Sequence, residues 1–138
     1  MKKETHSSTP LLELDHLAVT FYTPQGTVHA VRETSLKIQR GEVLGLVGES
    51  GCGKSTIAWA IMGYFQSLVH MEGTIRFKGK SFTEMPPSEL RGLRGRRIAM
   101  VYQDVVSSLN PTMRVGPQLE EVLRENLNMG KQQARHRV

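Results

Sequence analysis

Between Gly48 and Thr56 the chain reads Gly-Glu-Ser-Gly-Cys-Gly-Lys-Ser-Thr, which matches G-x-x-x-x-G-K-[ST], the pattern of a phosphate-binding loop. Each fixed position has a chemical reason. Gly48, Gly51 and Gly53 open backbone conformations closed to other residues and let the main chain approach a ligand. Successive N–H groups then turn inward as an anion nest, and a following helix adds its positive end. Lys54 reaches the β- and γ-phosphates of a nucleotide as a point charge. Ser55 offers Mg²⁺ a hydroxyl ligand, and Thr56 offers the α-phosphate a hydrogen bond. Cys52, the sole cysteine, belongs to the same loop, beside Lys54 and near a helix N-terminus, a setting that favours ready alkylation when the loop is empty. The plainer account of Cys52 is a small residue tolerated there. At about 7% glycine usage the four fixed positions coincide by chance in a few per 10⁵ starts, which disfavours a mere glycine-rich turn with a solvated lysine.

The flanking residues fit a strand, a loop and a helix. Val43-Leu44-Gly45-Leu46-Val47 is a short apolar run bounded by glycines, as in a parallel strand buried on both faces. Ile57 to Met62 is apolar all round and predicts a buried helix ending at Gly63. Strand, glycine loop and helix in that order open an α/β unit. Upstream, Leu12, Leu14, Leu17, Val19 and Phe21 alternate with polar residues and predict a strand with an irregularity near Asp15-His16. Thr23-Pro24-Gln25-Gly26 is a turn signal. Val28 to Ile38 predicts a second extended segment ending at Arg40-Gly41, so the opening reads as an antiparallel β region. Downstream, Thr74 to Lys78 predicts a short strand, Pro86-Pro87-Ser88 a helix start, and Ile98 to Tyr102 a second buried strand. Apolar residues from Val115 to Leu127 predict a helix, and Lys131 to Val138 the opening turns of another.

Composition sets the class. Apolar residues at 38% and charged residues at 22% describe a globular chain rather than a disordered one. A single cysteine excludes an internal disulfide framework and a cysteine-based zinc site. No stretch approaches the roughly 18 apolar residues needed to span a bilayer, and the polar N-terminus is no secretory signal. The expectation is a soluble cytoplasmic chain. The net charge of +5 suits a phosphate-bearing ligand or a nucleic acid. The cluster Arg91, Arg94, Arg96 and Arg97 has no interleaved aromatic residue, so it reads as a solvated turn and no nucleic acid is expected. The five histidines share no metal-ligand spacing and read as ordinary.

"GEVLGLVGESGCGKST", Gly41 to Thr56, resembles the start of the ATP-binding subunit of ABC transporters. "RGRRIAMVYQDVVSSLNPTMRVGPQL", Arg94 to Leu119, resembles the Q-loop region of the subgroup that drives oligopeptide, dipeptide and nickel import, of which "SLNP" is characteristic. "GTIRFKGKSF" and "VTFYTPQGTVHAV" carry the likeness further, so that it runs from about Leu11 to the end. The resemblance implies an α/β P-loop NTPase core with an N-terminal antiparallel β region and the start of a helical subdomain. It divides the chain into a flexible tail, residues 1–10, and the N-terminal portion of an ATP-binding domain, residues 11–138.

The resemblance also implies roles. Gly48, Gly51, Gly53, Lys54, Ser55 and Thr56 match the Walker A loop. Gln103 matches the glutamine that touches Mg²⁺ or the attacking water and senses the transmembrane subunits. Phe21 best matches the aromatic that stacks on adenine, with Tyr22 adjacent. Val105 stands where the family usually has proline two residues after the glutamine. The implied cofactors are ATP and Mg²⁺. The implied partners are a second ATP-binding subunit, transmembrane permease subunits and, indirectly, an extracytoplasmic solute-binding protein, at the inner face of the cell membrane. The family continues with a signature "LSGGQ", a Walker B Asp with a catalytic Glu, and a switch His, none of which occurs before Val138. Without them most of the electrostatic stabilisation of phosphoryl transfer is missing. The expectation is therefore part of an importer ATPase that is inactive alone, with apolar faces of 43–47 and 98–102 exposed. The alternative is a truncated nucleotide-binding module without ATPase activity. A small nucleotide kinase is disfavoured because the Gln103 block has no role in one.

Overall fold

The computed structural model describes residues 9–64, 68–104 and 109–138. It divides into two compact units, residues 1–86 and 87–138, and each is described by itself. The expected tail falls largely on residues outside the described ones, as does Val105.

The first unit is built on a four-stranded antiparallel sheet of order β2-β1-β3-β4. Its strands are β1 (Leu12–Thr23), β2 (Gly26–Ile38), β3 (Val69–Phe77) and the short β4 (Lys80–Ser81). Pro24 and Gln25 form the tight connection between β1 and β2, where Thr23 Oγ1 donates to Gly26 O at 2.8 Å. Leu14 and Leu17 are 1% and 0% exposed although three positions apart. In a regular strand they would face opposite ways. A bulge at Asp15-His16 supplies the extra residue, visible as register shifts against both β2 and β3. The apolar face of β1 thus switches from even to odd positions, and the expected irregularity is found where the pattern breaks.

The bulge is shared by three strands. His16 (φ 50°) on β1, Glu33 (φ 53°) on β2 and Gly73 (φ 84°) on β3 all adopt left-handed backbone. A Cβ on Gly73 would run into the carbonyl oxygens of His16 and Asp15. His16 Nδ1 lies 2.6 Å from Glu33 Oε1, and Asp15 is 3.7 Å from the other ring nitrogen. Glu33, by hydrogen bond, and then the Asp15 and Glu33 charges raise the His16 pKa above 6.5. A raised folded-state pKa contributes stability that is full below the unfolded value and is lost as pH climbs through the folded one. His16→Asn keeps a residue type that tolerates left-handed backbone. Its deficit in melting temperature against the unaltered chain should be larger at pH 6 than at pH 8; an equal deficit at both would contradict the charge assignment.

Helix α1 (Lys54–Met62) buries Ile57, Ala60 and Met62, and its start lies against β2. It ends as the glycine predicts. Gly63 is left-handed (φ 65°), its N–H donates to Ala60 O at 2.9 Å, and the Tyr64 N–H reaches Trp59 O at 3.2 Å.

The two buried strands expected at 43–47 and 98–102 are not formed. Both segments lie outside every strand, and Val43, Val47 and Val101 are 95%, 92% and 90% exposed. The physical reason is that a strand buried on both faces needs ladder partners at its edges and helices above and below. Among the described residues neither segment has a paired strand, Ile98 making only an isolated bridge with Arg94, so Val43, Val47 and Val101 stand in solvent, as the expectation of exposed faces required.

The second unit holds α2 (Pro87–Leu93), α3 (Val115–Leu127) and α4 (Lys131–Arg137). Proline opens α2, where its missing N–H costs nothing. Asn128, left-handed at φ 52°, caps α3. Ala134 of α4 is fully buried.

Candidate functional site

The glycine loop closes directly onto α1. Gly53 is the N-cap, left-handed at φ 96°, and provides no side-chain cap to the first turn. Gly51 is left-handed at φ 81°. At Gly53 conformation and space agree: a Cβ would strike Ala30 O and come within 3.3 Å of Val31 Cγ2 on β2. Glycine here lets the loop sit on the sheet edge while the amides that open α1 stay uncapped by any side chain. Such an array suits a phosphate.

Lys54 lies over the loop. Its Nζ donates to Gly48 O at 2.8 Å and Glu49 O at 2.6 Å, with Cys52 Sγ at 3.4 Å. The ammonium is thus held at the mouth of the glycine loop, six residues back along the chain from its own Cα position. Ser55 is exposed, and Thr56 is buried in the first turn of α1. Cys52 is exposed, and a Cβ on Gly48 would meet its sulfur at 2.6 Å. The residues present fit a nucleotide phosphate chain: a glycine cradle, one aimed cation and an available hydroxyl for a hydrated Mg²⁺.

Phe21 and Tyr22 are separated by the sheet. Phe21 follows Val19 on the buried face of β1 and is half-buried, whereas Tyr22 is exposed on the opposite face with Thr20. Val31, the cross-strand partner of Val19, is the side chain against Gly53. Phe21 therefore shares the face that meets the loop. Tyr22 instead lines a broad open hollow of about 910 Å³ with His16, His29 and His70. Gln103 is exposed and belongs to the second unit.

A sequence profile described as ABC transporter matches residues 31–137, more than half of the chain. The chain belongs to the ABC transporter family. Its curated relatives include the oligopeptide transport ATP-binding protein OppD of Salmonella typhimurium, 46% identical over 124 residues, which cover 90% of this chain and 37% of that protein. The dipeptide transport ATP-binding protein DppD of Bacillus subtilis is 43% identical over 130 residues, covering 93% of this chain and 39% of that protein. The chain spans less than half the length of these ABC relatives. Among solved structures, the ATP-binding cassette MJ0796 in a dimeric post-hydrolysis state bound to ADP and Pi gives a TM-score of 0.73 at 23% identity. That match covers 91% of this chain and 53% of that one, and shows the fold. The chain is thus a partial ABC nucleotide-binding domain. No helix among the described residues is long and apolar enough to cross a membrane.

Two features escaped the sequence reading. The seat of the loop on Ala30 and Val31 is a long-range contact with no local signal. Arg96, read as part of a solvated turn, instead donates from Nη2 to Glu125 O and Asn128 Oδ1, each at 3.1 Å. The αL cap at Asn128 was a usable hint, because a helix C-terminus attracts cations.

Proposed function

We propose that the chain supplies the ATP-binding half-site of an ABC importer for peptides or similar small solutes, coupling ATP binding and hydrolysis to transport. The observation that carries this reading is the Lys54 ammonium held over the glycine loop, in a chain 46% identical to an oligopeptide transport ATP-binding protein. Lys54 and the first-turn amides hold the phosphates. Ser55 would offer its hydroxyl to Mg²⁺, which would screen the charge of the β- and γ-phosphates; Gln103 keeps the role that the resemblance implies for it, toward Mg²⁺ or the attacking water. Thr56 serves the α-phosphate and Phe21 stacks on adenine; the shared face of Phe21 and Val31 supports Phe21 over Tyr22. Residues 1–10 act as a tail and 11–138 as one portion of the domain. A second ATP-binding subunit completes the site, permease subunits receive the motion, and the assembly sits on the inner face of the membrane beneath a solute-binding protein.

A graft tests the import reading. Residues 11–138 replace the matching part of OppD in cells that depend on it for oligopeptide uptake. Uptake is expected to persist and to vanish with Lys54→Ala. A graft that reaches the membrane and imports nothing would refute the reading.

Cys52 gives a local check. Its sulfur lies 3.4 Å from Lys54 Nζ on the loop's exposed side. MgATP bound there should slow its alkylation by iodoacetamide at least about tenfold, the fraction of unliganded sites falling with occupancy. Equal rates with and without MgATP would remove Cys52 from the binding surface.

A further inference from the structure

We infer that Arg32 of β2 is a second cation of the phosphate site, reaching bound nucleotide from the sheet edge at the tip of the glycine loop. The inference rests on the reading of that loop as a nucleotide phosphate site, and it adds a residue from outside the loop's own motif.

A bulge sets the approach. Val19 of β1 pairs with Val31 and the adjacent Thr20 with His29, so Ala30 is an extra residue on β2. Gly53 is seated on the carbonyl of this bulged residue. Next to that contact, Ala30, Val31, Arg32 and Thr34 on β2 and Gly51 and Cys52 on the loop line one cavity of about 350 Å³. A Cβ on Gly51 would meet nothing within 4 Å, so the loop tip is open. Order along β2 decides which end of a nucleotide faces Arg32. Val28 pairs with Phe21, the candidate base-stacking residue; Ala30 meets Gly53; Arg32 lies further on. Arg32 is thus on the phosphate side of the site.

The two cations serve different parts of the loop. Lys54 Nζ is bonded to Gly48 O and Glu49 O, at the loop's start, whereas Arg32 flanks positions 51 and 52. Arg32 is exposed, and among the described residues its guanidinium has neither an ion pair nor a hydrogen bond. The acid next to it in the chain, Glu33, lies instead 2.6 Å from His16 Nδ1. A guanidinium without a partner, at an open cavity beside a cradle of amides, suits a phosphate group, which it can hold by two parallel N–H···O bonds.

The test is calorimetric titration of the 138-residue chain with MgATP at low and high salt. Arg32→Gln removes the charge and keeps most of the stem. It should weaken MgATP binding about fivefold at low salt, the worth of one charge-assisted hydrogen bond after its exposure is discounted. At about 1 M KCl, where the screening length is about 3 Å, the loss should shrink to under about twofold. Arg32→Lys should recover most of the low-salt affinity, since a point charge also serves phosphate. Lys78→Gln removes the same charge from the turn between β3 and β4 and should bind as the unaltered chain does. Unchanged affinity in Arg32→Gln overturns the inference and leaves the phosphate loop standing. An equal loss at both salts overturns it in favour of a merely structural role, and an equal loss in Lys78→Gln overturns it in favour of net charge alone. If Lys54→Ala leaves MgATP binding unchanged, the phosphate reading of the loop fails and takes the inference with it.

Discussion

Lys54→Ala is expected to weaken MgATP binding by about a hundredfold, the equivalent of one or two charge-assisted hydrogen bonds to phosphate. The size follows from what surrounds Lys54. The backbone amides of the loop are dipoles, whereas Lys54 brings a full positive charge to the loop mouth, bonded to Gly48 O and Glu49 O. Binding a polyphosphate replaces two neutral acceptors with ionised ones, so the gain is specific to the bound state. Lys54 is partly exposed and its carbonyl partners can turn to water. The folded chain should therefore melt within about 1 kcal/mol of the unaltered one, the range for a surface substitution. Calorimetric titration separates the two effects. Lost affinity with unchanged melting is the expected pair. Unchanged affinity would mean that the loop does not hold phosphate through Lys54.

Gly73→Ala should cost about 3 kcal/mol of stability, combining the strain of left-handed backbone with a steric clash. The added methyl has nowhere to go. It would meet the carbonyl oxygens of His16 and Asp15, which are main-chain atoms of the bulge that re-phases β1. Relief requires β3 to part from β1 or the bulge to slip, and a one-residue slip would turn Leu17 and Val19 away from the core. Gly92→Ala is the control. Gly92 lies in α2 with open space around its Cα, and there alanine should be neutral or stabilising by up to about 1 kcal/mol. In urea melts the Gly73 variant should lose most of its transition while the Gly92 variant keeps it. Equal midpoints would show that the three-strand bulge is soft.

The contrast between these glycines marks what was legible in the sequence. The glycine loop that closes onto α1 was, because its spacing fixes a local backbone path whose reason lies within nine residues. The strand β1 and even its irregularity were, because Leu14 and Leu17 break an otherwise period-two pattern. The helices were marked by Gly63, Pro87 and the apolar spacing in 115–127. The segments 43–47 and 98–102 read as strands because their composition suits burial, but burial depends on neighbours, and the described residues give neither a paired strand. The partners of Arg96 were illegible for the same reason. A charge run looks alike whether it is solvated or docked on a helix end about thirty positions along the chain. Gly73 carried no warning of its tightness, since only tertiary structure brings His16 O against it.

The most direct test of the central claim is to follow nucleotide binding and phosphate release together in the 138-residue chain at micromolar concentration. The account predicts saturable binding of one MgATP per chain, weakened about a hundredfold by Lys54→Ala, with phosphate release counted separately so that bound and cleaved nucleotide are not confused. Absence of saturable binding, or binding that Lys54→Ala leaves unchanged, would contradict it.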